Sequence, residues 1–178
     1  DILRMGIKNY NLTQPQLNEL IVKHDSETNN HSEILKVYDG CFFCAGISSV
    51  GENEENFTKK TYDFVVPFAT TLAEINPEMT FIYVSGSGTD STEKGKVMWA
   101  RVKGRTENAL MKLPFKGQYN FRPAIMKATK RQKNVKTFFK IMIPLLTPFF
   151  SAKTLKLSEV GKAMINATLK GYSKQILE

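Results

Sequence analysis

The stretch that decides the fold is MTFIYVSGSGTDSTEKGKVMWARVKGRTENALMKL, residues 79–113. An apolar run ends in alternating serines and glycines, a polar loop follows, and a helical pattern begins near residue 96. A Walker phosphate loop is excluded, because the glycine that it requires five positions before Gly95 is Asp90 and no Ser or Thr follows Lys96. The stretch therefore predicts a buried strand that turns into an amphipathic helix.

The same alternation of strand and helix patterns continues in both directions from this stretch. Apolar runs predict strands, and apolar residues at helical spacing predict helices, one of them N-capped by Ser158. The strands are expected at 18–25, 39–46, 79–88 and 117–126, and the longer helices at 54–75 and 96–113. This order predicts one α/β domain over residues 1–178, with a doubly wound, mostly parallel sheet in which 39–45, 80–85 and 117–122 are adjacent central strands.

The carboxyl ends of the predicted strands carry the residues best placed to bind a ligand. In open α/β sheets ligands bind in the crevice beyond these ends. The pattern places the following residues around one crevice: Asp25, Cys44, Ala45, Gly46, Ser85, Gly86, Ser87, Arg122 and Pro123. Arg122 has two interpretations at this point, a structural ion pair or an anchor for a carboxylate or phosphate of the substrate.

The charge is unevenly distributed along the chain. Residues 1–93 hold 6 Lys and Arg against 14 Asp and Glu, whereas residues 94–178 hold 19 against 3. The basic half fits a solvated face, a phosphorylated small molecule, or, with least support, nucleic acid or acidic lipid, since no nucleic-acid motif accompanies the charge. We expect a small-molecule substrate, which the basic half allows to be anionic, and no nucleic-acid partner, and the sequence indicates no particular oligomeric state.

Two further features limit the classes of site. The longest apolar stretch, residues 137–150, is too short to span a bilayer and contains Lys140, so no membrane partner is expected. The basic and apolar segment 127–157, which includes this stretch, is interpreted as a substrate-side or lid segment. Cys41 and Cys44 fall on opposite faces of a strand and have no second ligand pair, which argues against a metal site. Buried thiols in a strand indicate a reducing compartment, the cytoplasm.

Four segments carry a resemblance to a known family. YDGCFFCAGISS, FIYVSGSGTD, WARVKGRTENAL and NFRPAIM, in this order, resemble the atypical extended short-chain dehydrogenase/reductases, the NAD(P)-dependent epimerase/dehydratase-like group that includes Tat-interacting oxidoreductase-like proteins. The match covers most of residues 17–170. The resemblance implies a Rossmann fold with NAD or NADP as cofactor.

The resemblance also implies where the cofactor lies. Asp25 is expected near the adenine, Ala45 and Gly46 beside the ribose, and Pro123 and Ala124 near the nicotinamide. The family's glycine-rich phosphate turn, which follows its first strand, does not occur in this chain, and RMGIKN contains a single glycine. We therefore expect the first strand-helix unit to be missing by truncation rather than by loss of the pyrophosphate site.

The family's catalytic pattern matches only in part. Its enzymes use a tyrosine and a lysine four residues later, with a serine at a strand end. Lys103 and either Ser85 or Ser87 match, but Trp99 stands at the tyrosine position, and an indole N–H cannot act as an acid or base near neutral pH. Trp99 is interpreted either as a core aromatic or as a wall of the ligand pocket.

Three functions follow from these residues. The first is an NAD(P)-dependent oxidoreductase or epimerase-like enzyme that acts on an unknown small molecule. The second, favoured by Trp99, is a dinucleotide-binding regulator without catalysis on the same fold. The third is a module that binds anionic surfaces through its basic half.

Overall fold

The computed structural model describes residues 2–5, 19–22, 25–127 and 154–178. The elements in chain order are β1 (Ile2–Met5), β2 (Glu19–Val22), a 3-10 helix (Asp25–His31), α1 (Ser32–Leu35), β3 (Gly40–Phe43), α2 (Glu54–Ile75), β4 (Thr80–Val84), α3 (Met98–Leu110), β5 (Gly117–Phe121), β6 (Ile125–Lys127), β7 (Thr154–Lys156), α4 (Leu157–Lys170) and β8 (Ile176–Leu177). Most of the segment 127–157, the interpreted lid, lies outside the described residues. No helix within them is long and apolar enough to cross a membrane.

The main sheet has four parallel strands in the order β3-β4-β5-β8. Two further parallel pairs, β1 with β2 and β6 with β7, form separate small sheets within the described residues. The α/β class, the parallel direction and the adjacency of β3, β4 and β5 are thus confirmed. Strands β4 and β5 are internal, whereas β3 lies at one end of the four-stranded sheet as far as the chain is described.

Successive side chains of a strand point to opposite faces of the sheet, and at β4 helices pack on both of them. On one face, Phe81 and Tyr83 of β4 pack with α2 and α3 in the cluster Leu35, Phe43, Val65, Phe68, Ala69, Leu72, Met79 and Leu110. On the other face, Ile82 of β4 packs with β5 and α4 in the cluster Tyr119, Phe121, Val160, Met164 and Ala167. Burial on both sides explains why FIYV is an unbroken apolar run.

Helix α2 has the bounds that the sequence predicts, and local chemistry explains both ends. Asn53 caps the helix, since its side-chain oxygen accepts a hydrogen bond from the Asn56 N–H at 2.8 Å. Glu54 and Glu55 place negative charge in the first turn, where the helix dipole favours it. At the other end the Asn76 side chain donates to the carbonyl oxygens of Lys36 and Tyr38, both at 3.0 Å, and so ties the helix end to the chain before β3.

Strand β5 is polar on the face that it turns toward α2 and α3. The Gln118 amide donates to Asn120 Oδ1 at 2.9 Å, and the Asn120 amide donates to Gln118 Oε1 at 3.3 Å. Both side chains are buried, and the alternate residues Tyr119 and Phe121 belong to the opposite, apolar face. The two amides therefore satisfy each other inside the protein, where an unpaired amide would be costly.

Several element boundaries differ from the prediction. Helix α3 occupies Met98–Leu110 rather than 96–113. The predicted N-cap, Ser158, lies inside α4, and the N-cap is Lys156, whose N–H donates to Glu159 at 2.9 Å. Strand β5 ends at Phe121 rather than near residue 126, because Pro123 has no N–H to continue the ladder and the following residues form β6 in another sheet.

Candidate functional site

The candidate site lies where β3, β4 and β5 end. Because the three strands are parallel neighbours, the residues that follow them open on the same edge of the sheet. Two of these strand ends are joined directly, since the Ser87 N–H donates to the Pro123 carbonyl oxygen at 3.1 Å. The sequence-predicted residues after β4 and β5 are thus brought together.

Ser85 is held from several sides just beyond β4. Its N–H donates to the Phe121 carbonyl oxygen at 2.8 Å, and its hydroxyl donates to the carboxylate of Glu107 on α3. The residue is buried. Its hydroxyl is therefore directed into the protein, toward Glu107, rather than toward solvent.

Ser87, in contrast, is exposed. It lies between Gly86, with φ +156°, and Gly88, with φ +84°, a backbone geometry that the turn after the strand requires and that glycine adopts without strain. A Cβ added to Gly88 would lie 3.6 Å from the Trp99 ring, so the turn passes over that side chain. Of the two candidate serines, Ser87 is the one that a ligand can reach.

Helix α3 presents Trp99, Lys103 and Glu107 at intervals of four residues, so the three lie along one side of the helix. Trp99 and Lys103 are half-buried, whereas Glu107 is fully buried. The Lys103 Nζ donates to the Ser85 carbonyl oxygen at 2.5 Å. Two of the predicted catalytic positions, Ser85 and Lys103, are therefore in direct contact, and Trp99 lies one helical turn away.

Glu107 pairs with Arg122, the residue that follows β5. The Arg122 Nε lies 3.1 Å from one carboxylate oxygen, and an Arg122 terminal nitrogen lies 2.6 Å from the other. Arg122 also contacts Glu178 at 3.1 Å and donates to the Ser91 hydroxyl. Its hydrogen bonds to Glu107 are the main cause that raises the pKa of Arg122. The structure thus favours the ion-pair interpretation of Arg122 over that of a substrate anchor.

Burial changes the protonation chemistry around α3. Desolvation lowers the pKa of Lys103, and the negative charge of Glu107 acts against that change. The pKa of Tyr83, which is buried in the core beside Phe43, is raised well above its usual value by desolvation and by Glu107. Tyr83 is therefore unsuited to replace the family's catalytic tyrosine.

The loop before α3 is pressed against the helix. The Asp90 N–H donates to the Ala100 carbonyl oxygen at 3.1 Å, and the Asp90 carboxylate accepts the N–H of Gly95 at 2.6 Å. A Cβ added to Gly104 would lie only 1.8 Å from the Asp90 carbonyl oxygen. This close approach fixes the position of α3, and with it that of Lys103, relative to the strand ends.

Four other predicted residues follow strands of the main sheet at this edge, whereas Asp25 does not. Cys44, Ala45 and Gly46 follow β3 and are exposed, so the expectation of two buried strand thiols is wrong for Cys44. Ala124 is exposed beyond β5. Asp25 begins the 3-10 helix, and the strand before it pairs with β1, not with the main sheet, among the described residues.

A metal site has no support within the described ranges. There, no group of three or more His, Cys, Asp or Glu side chains is placed to hold a metal ion. Desolvation raises the pKa of Cys41 to about 12, and partial desolvation of the sulfur also raises the pKa of Cys44. Both thiols therefore stay protonated near neutral pH, which makes them poor metal ligands.

Glu107 is the site residue that the sequence analysis missed. Glutamate is rarely buried without a partner, and its partners, Ser85 and Arg122, are 22 and 15 residues away. The available signal was its place four residues after Lys103 on the same helix side.

No protein-family model matches this chain, and no curated protein sequence matches it.

Proposed function

We propose that this protein binds NAD or NADP on a Rossmann-like, doubly wound fold and acts on a small molecule as an oxidoreductase or epimerase-like enzyme. The observation that carries the proposal is the contact of Lys103 with the main chain after β4, beside Trp99, at the carboxyl edge of a parallel sheet. This is the edge where such sheets bind dinucleotides.

The topology supports the fold part of the proposal. Strands β3, β4, β5 and β8 follow one another in sheet order, as do the strands on one side of the switch point in a dinucleotide-binding sheet. Helices α2 and α3 cover one face and α4 covers the other. A doubly wound sheet would be completed by strands beside β3.

The residues at the edge fit the ribose and nicotinamide end of such a cofactor. The Lys103 ammonium and the exposed Ser87 supply donors for ribose hydroxyls, and a Cβ added to Gly46 would meet nothing within 4 Å, which leaves room after β3. Pro123 and Ala124 would border the nicotinamide, as the resemblance implies. Bound cofactor would supply the hydride chemistry, and the chain's own residues orient it.

An enzymatic function also requires a group that transfers a proton to or from the substrate. Trp99 occupies the place of the usual acid, and its indole N–H donates a hydrogen bond without releasing a proton near neutral pH. A dinucleotide-binding regulator without catalysis is therefore the second candidate, and Trp99 is the observation that favours it. With either function, we propose a cytoplasmic location for the protein, since Cys41 and Cys44 are free thiols.

Binding is tested by following the emission of Trp99, the only tryptophan in the sequence. We expect NADPH or NADH to quench this emission. Lys103→Ala should weaken binding about tenfold or more, because a hydrogen bond to a charged group contributes about 1.5–3 kcal/mol. Lys112→Ala, an exposed lysine just beyond α3, serves as the matched control and should bind as the wild type does. Failure of both cofactors to bind at millimolar concentration would refute the proposal.

Catalysis is tested at Trp99. If the protein is the regulator, the wild type will hold cofactor without reducing ordinary carbonyl substrates, and Trp99→Tyr will gain slow hydride transfer, since a general acid contributes about 10²- to 10⁴-fold. If it is an ordinary reductase, it already has another proton donor, and Trp99→Tyr will change little or lower its activity. The measurement is the loss of nicotinamide absorbance. Trp99→Phe keeps an aromatic ring without a hydroxyl group and should gain nothing. Robust wild-type turnover that Trp99→Phe leaves intact would instead indicate a proton relay through serine or water.

A further inference from the structure

The fully buried carboxylate of Glu107 takes no direct part in the proposed chemistry. It lies on the same side of α3 as Trp99 and Lys103, in the protein interior next to the strand ends. A charged group at such a position is costly unless it is paired and hydrogen-bonded. Its partners therefore indicate what it does.

We propose that Glu107 is a positioning residue of the candidate site, which holds Ser85 and Arg122 in place so that the Ser85 carbonyl oxygen receives the Lys103 ammonium. The inference rests on the proposed function, because cofactor binding is one of its readouts. Glu107 itself touches no ligand. It acts through Ser85 and Lys103.

The geometry of Ser85 depends on Glu107. Three groups fix this residue: its N–H donates to Phe121, its hydroxyl donates to Glu107, and its carbonyl oxygen accepts from Lys103. Without the Glu107 carboxylate, the hydroxyl keeps only a long contact of 3.3 Å to the Phe121 carbonyl oxygen. The carbonyl that receives Lys103 would then be held less firmly.

Glu107 also balances the positive charges of Lys103 and Arg122. The region contains two cations, Lys103 and Arg122, and Glu107 is the buried anion between them; Glu178, the other partner of Arg122, is 66% exposed and so is screened by water. Neutralising Glu107 would leave both cations without a buried counter-charge. Lys103 would then lose its proton more readily, because burial already disfavours its charged form.

The charged and titratable groups near Lys103 and Glu107 lie on several elements and loops. Asp90, in the loop packed on α3, directs its carboxylate to Gly95 and Thr92 instead. Glu107 on α3 is the charged group that acts on Lys103, while Tyr83 on β4 and Arg122 after β5 interact with Glu107, and Glu178 after β8 interacts with Arg122. Only Glu107 is both buried and negative.

The test uses Glu107→Gln, which keeps the shape of the side chain and removes its charge. The titration of Lys103 is followed by NMR of its Cε, and NADPH affinity is followed from pH 6 to pH 10 by Trp99 emission. We expect Lys103 to titrate at lower pH than in the wild type, and affinity to be lost at correspondingly lower pH. A purely structural role would leave the Lys103 titration unmoved.

Ser85→Ala is the second variant, because it keeps the Glu107–Arg122 pair and so guards against a failure of Glu107→Gln to fold. Loss of one hydrogen bond to a charged group should weaken NADPH binding about tenfold. Ser87→Ala does not touch Glu107 and should leave the Lys103 titration unchanged. The proposal is overturned if Lys103 titrates alike in the wild type and Glu107→Gln, or, should that variant not fold, if Ser85→Ala changes neither the titration nor the affinity. If the wild type binds no cofactor, the proposed function fails, but the NMR titration still decides the role of Glu107.

Discussion

Gly104→Ala is expected to destabilise the protein by about 3 kcal/mol or more, at the upper end of overpacking changes. The new Cβ would lie 1.8 Å from the carbonyl oxygen of Asp90, which is a backbone atom and cannot rotate away as a flexible side chain would. Either α3 or the preceding loop must shift by more than 1 Å, on the order of the gap to an ordinary contact. Chemical denaturation measures the change in the free energy of unfolding.

Gly161→Ala is the matched control for this change. Gly161 lies inside α4, and a Cβ added to it would meet nothing within 4 Å. Alanine has a higher helix propensity than glycine by about 1 kcal/mol, so this variant should be as stable as the wild type or more stable. If both glycine variants behave alike, the close approach of α3 to Asp90 does not exist in the protein.

Arg122→Met is expected to cost about 3–5 kcal/mol, because it leaves the fully buried Glu107 carboxylate without its cationic partner. Methionine retains an unbranched apolar stem like that of the arginine side chain, so the packing of that stem is largely kept. Urea denaturation of the variant and the wild type gives the difference. Lys59→Met, which breaks the exposed pair with Glu55, is the control and should change stability by about 0.5 kcal/mol or less.

The pair with Glu107 is separated from other effects by a double-mutant cycle. Glu107→Leu combined with Arg122→Met removes both charges and should cost clearly less than the sum of the two single changes. Additive single effects would mean that the two side chains are not coupled, and the contact at 2.6 Å would then have no energetic role.

Local patterns were sufficient to predict most of the main sheet and α2. The run FIYV is apolar at consecutive positions because β4 is covered on both faces, and the bounds of α2 follow from its cap at Asn53 and its apolar stripe. In the run CFFC, Phe43 is buried but Phe42 is 43% exposed, so β3 is covered on one face only within the described residues. The direction of the strands followed from the intervening helices, which parallel connections require. These features depend on residues close together in the chain.

The site was harder to predict because its contacts are distant in sequence. A serine at a strand end, a lysine and a tryptophan were recognisable as types, but which of Ser85 and Ser87 faces the protein depends on Glu107, 22 residues later. Arg122 was left with two interpretations for the same reason. Ser158 was misplaced as an N-cap because Lys156, which has no preference for that position, caps α4 through its backbone contact with Glu159.

The amide pair on β5 also determines how that strand aligns with its neighbour. Pairing with β4 matches Ile82 with Tyr119 and Val84 with Phe121. A slip by one residue would turn Gln118 and Asn120 toward the apolar cluster under α4 and bring Tyr119 and Phe121 to the opposite face. The pair would then lie among apolar side chains, which offer no partner to its remaining donors and acceptors, and Tyr119 and Phe121 would leave their cluster. The two polar residues thus act against misaligned pairing during folding, and the cost that they impose falls on the wrong register rather than on the native one.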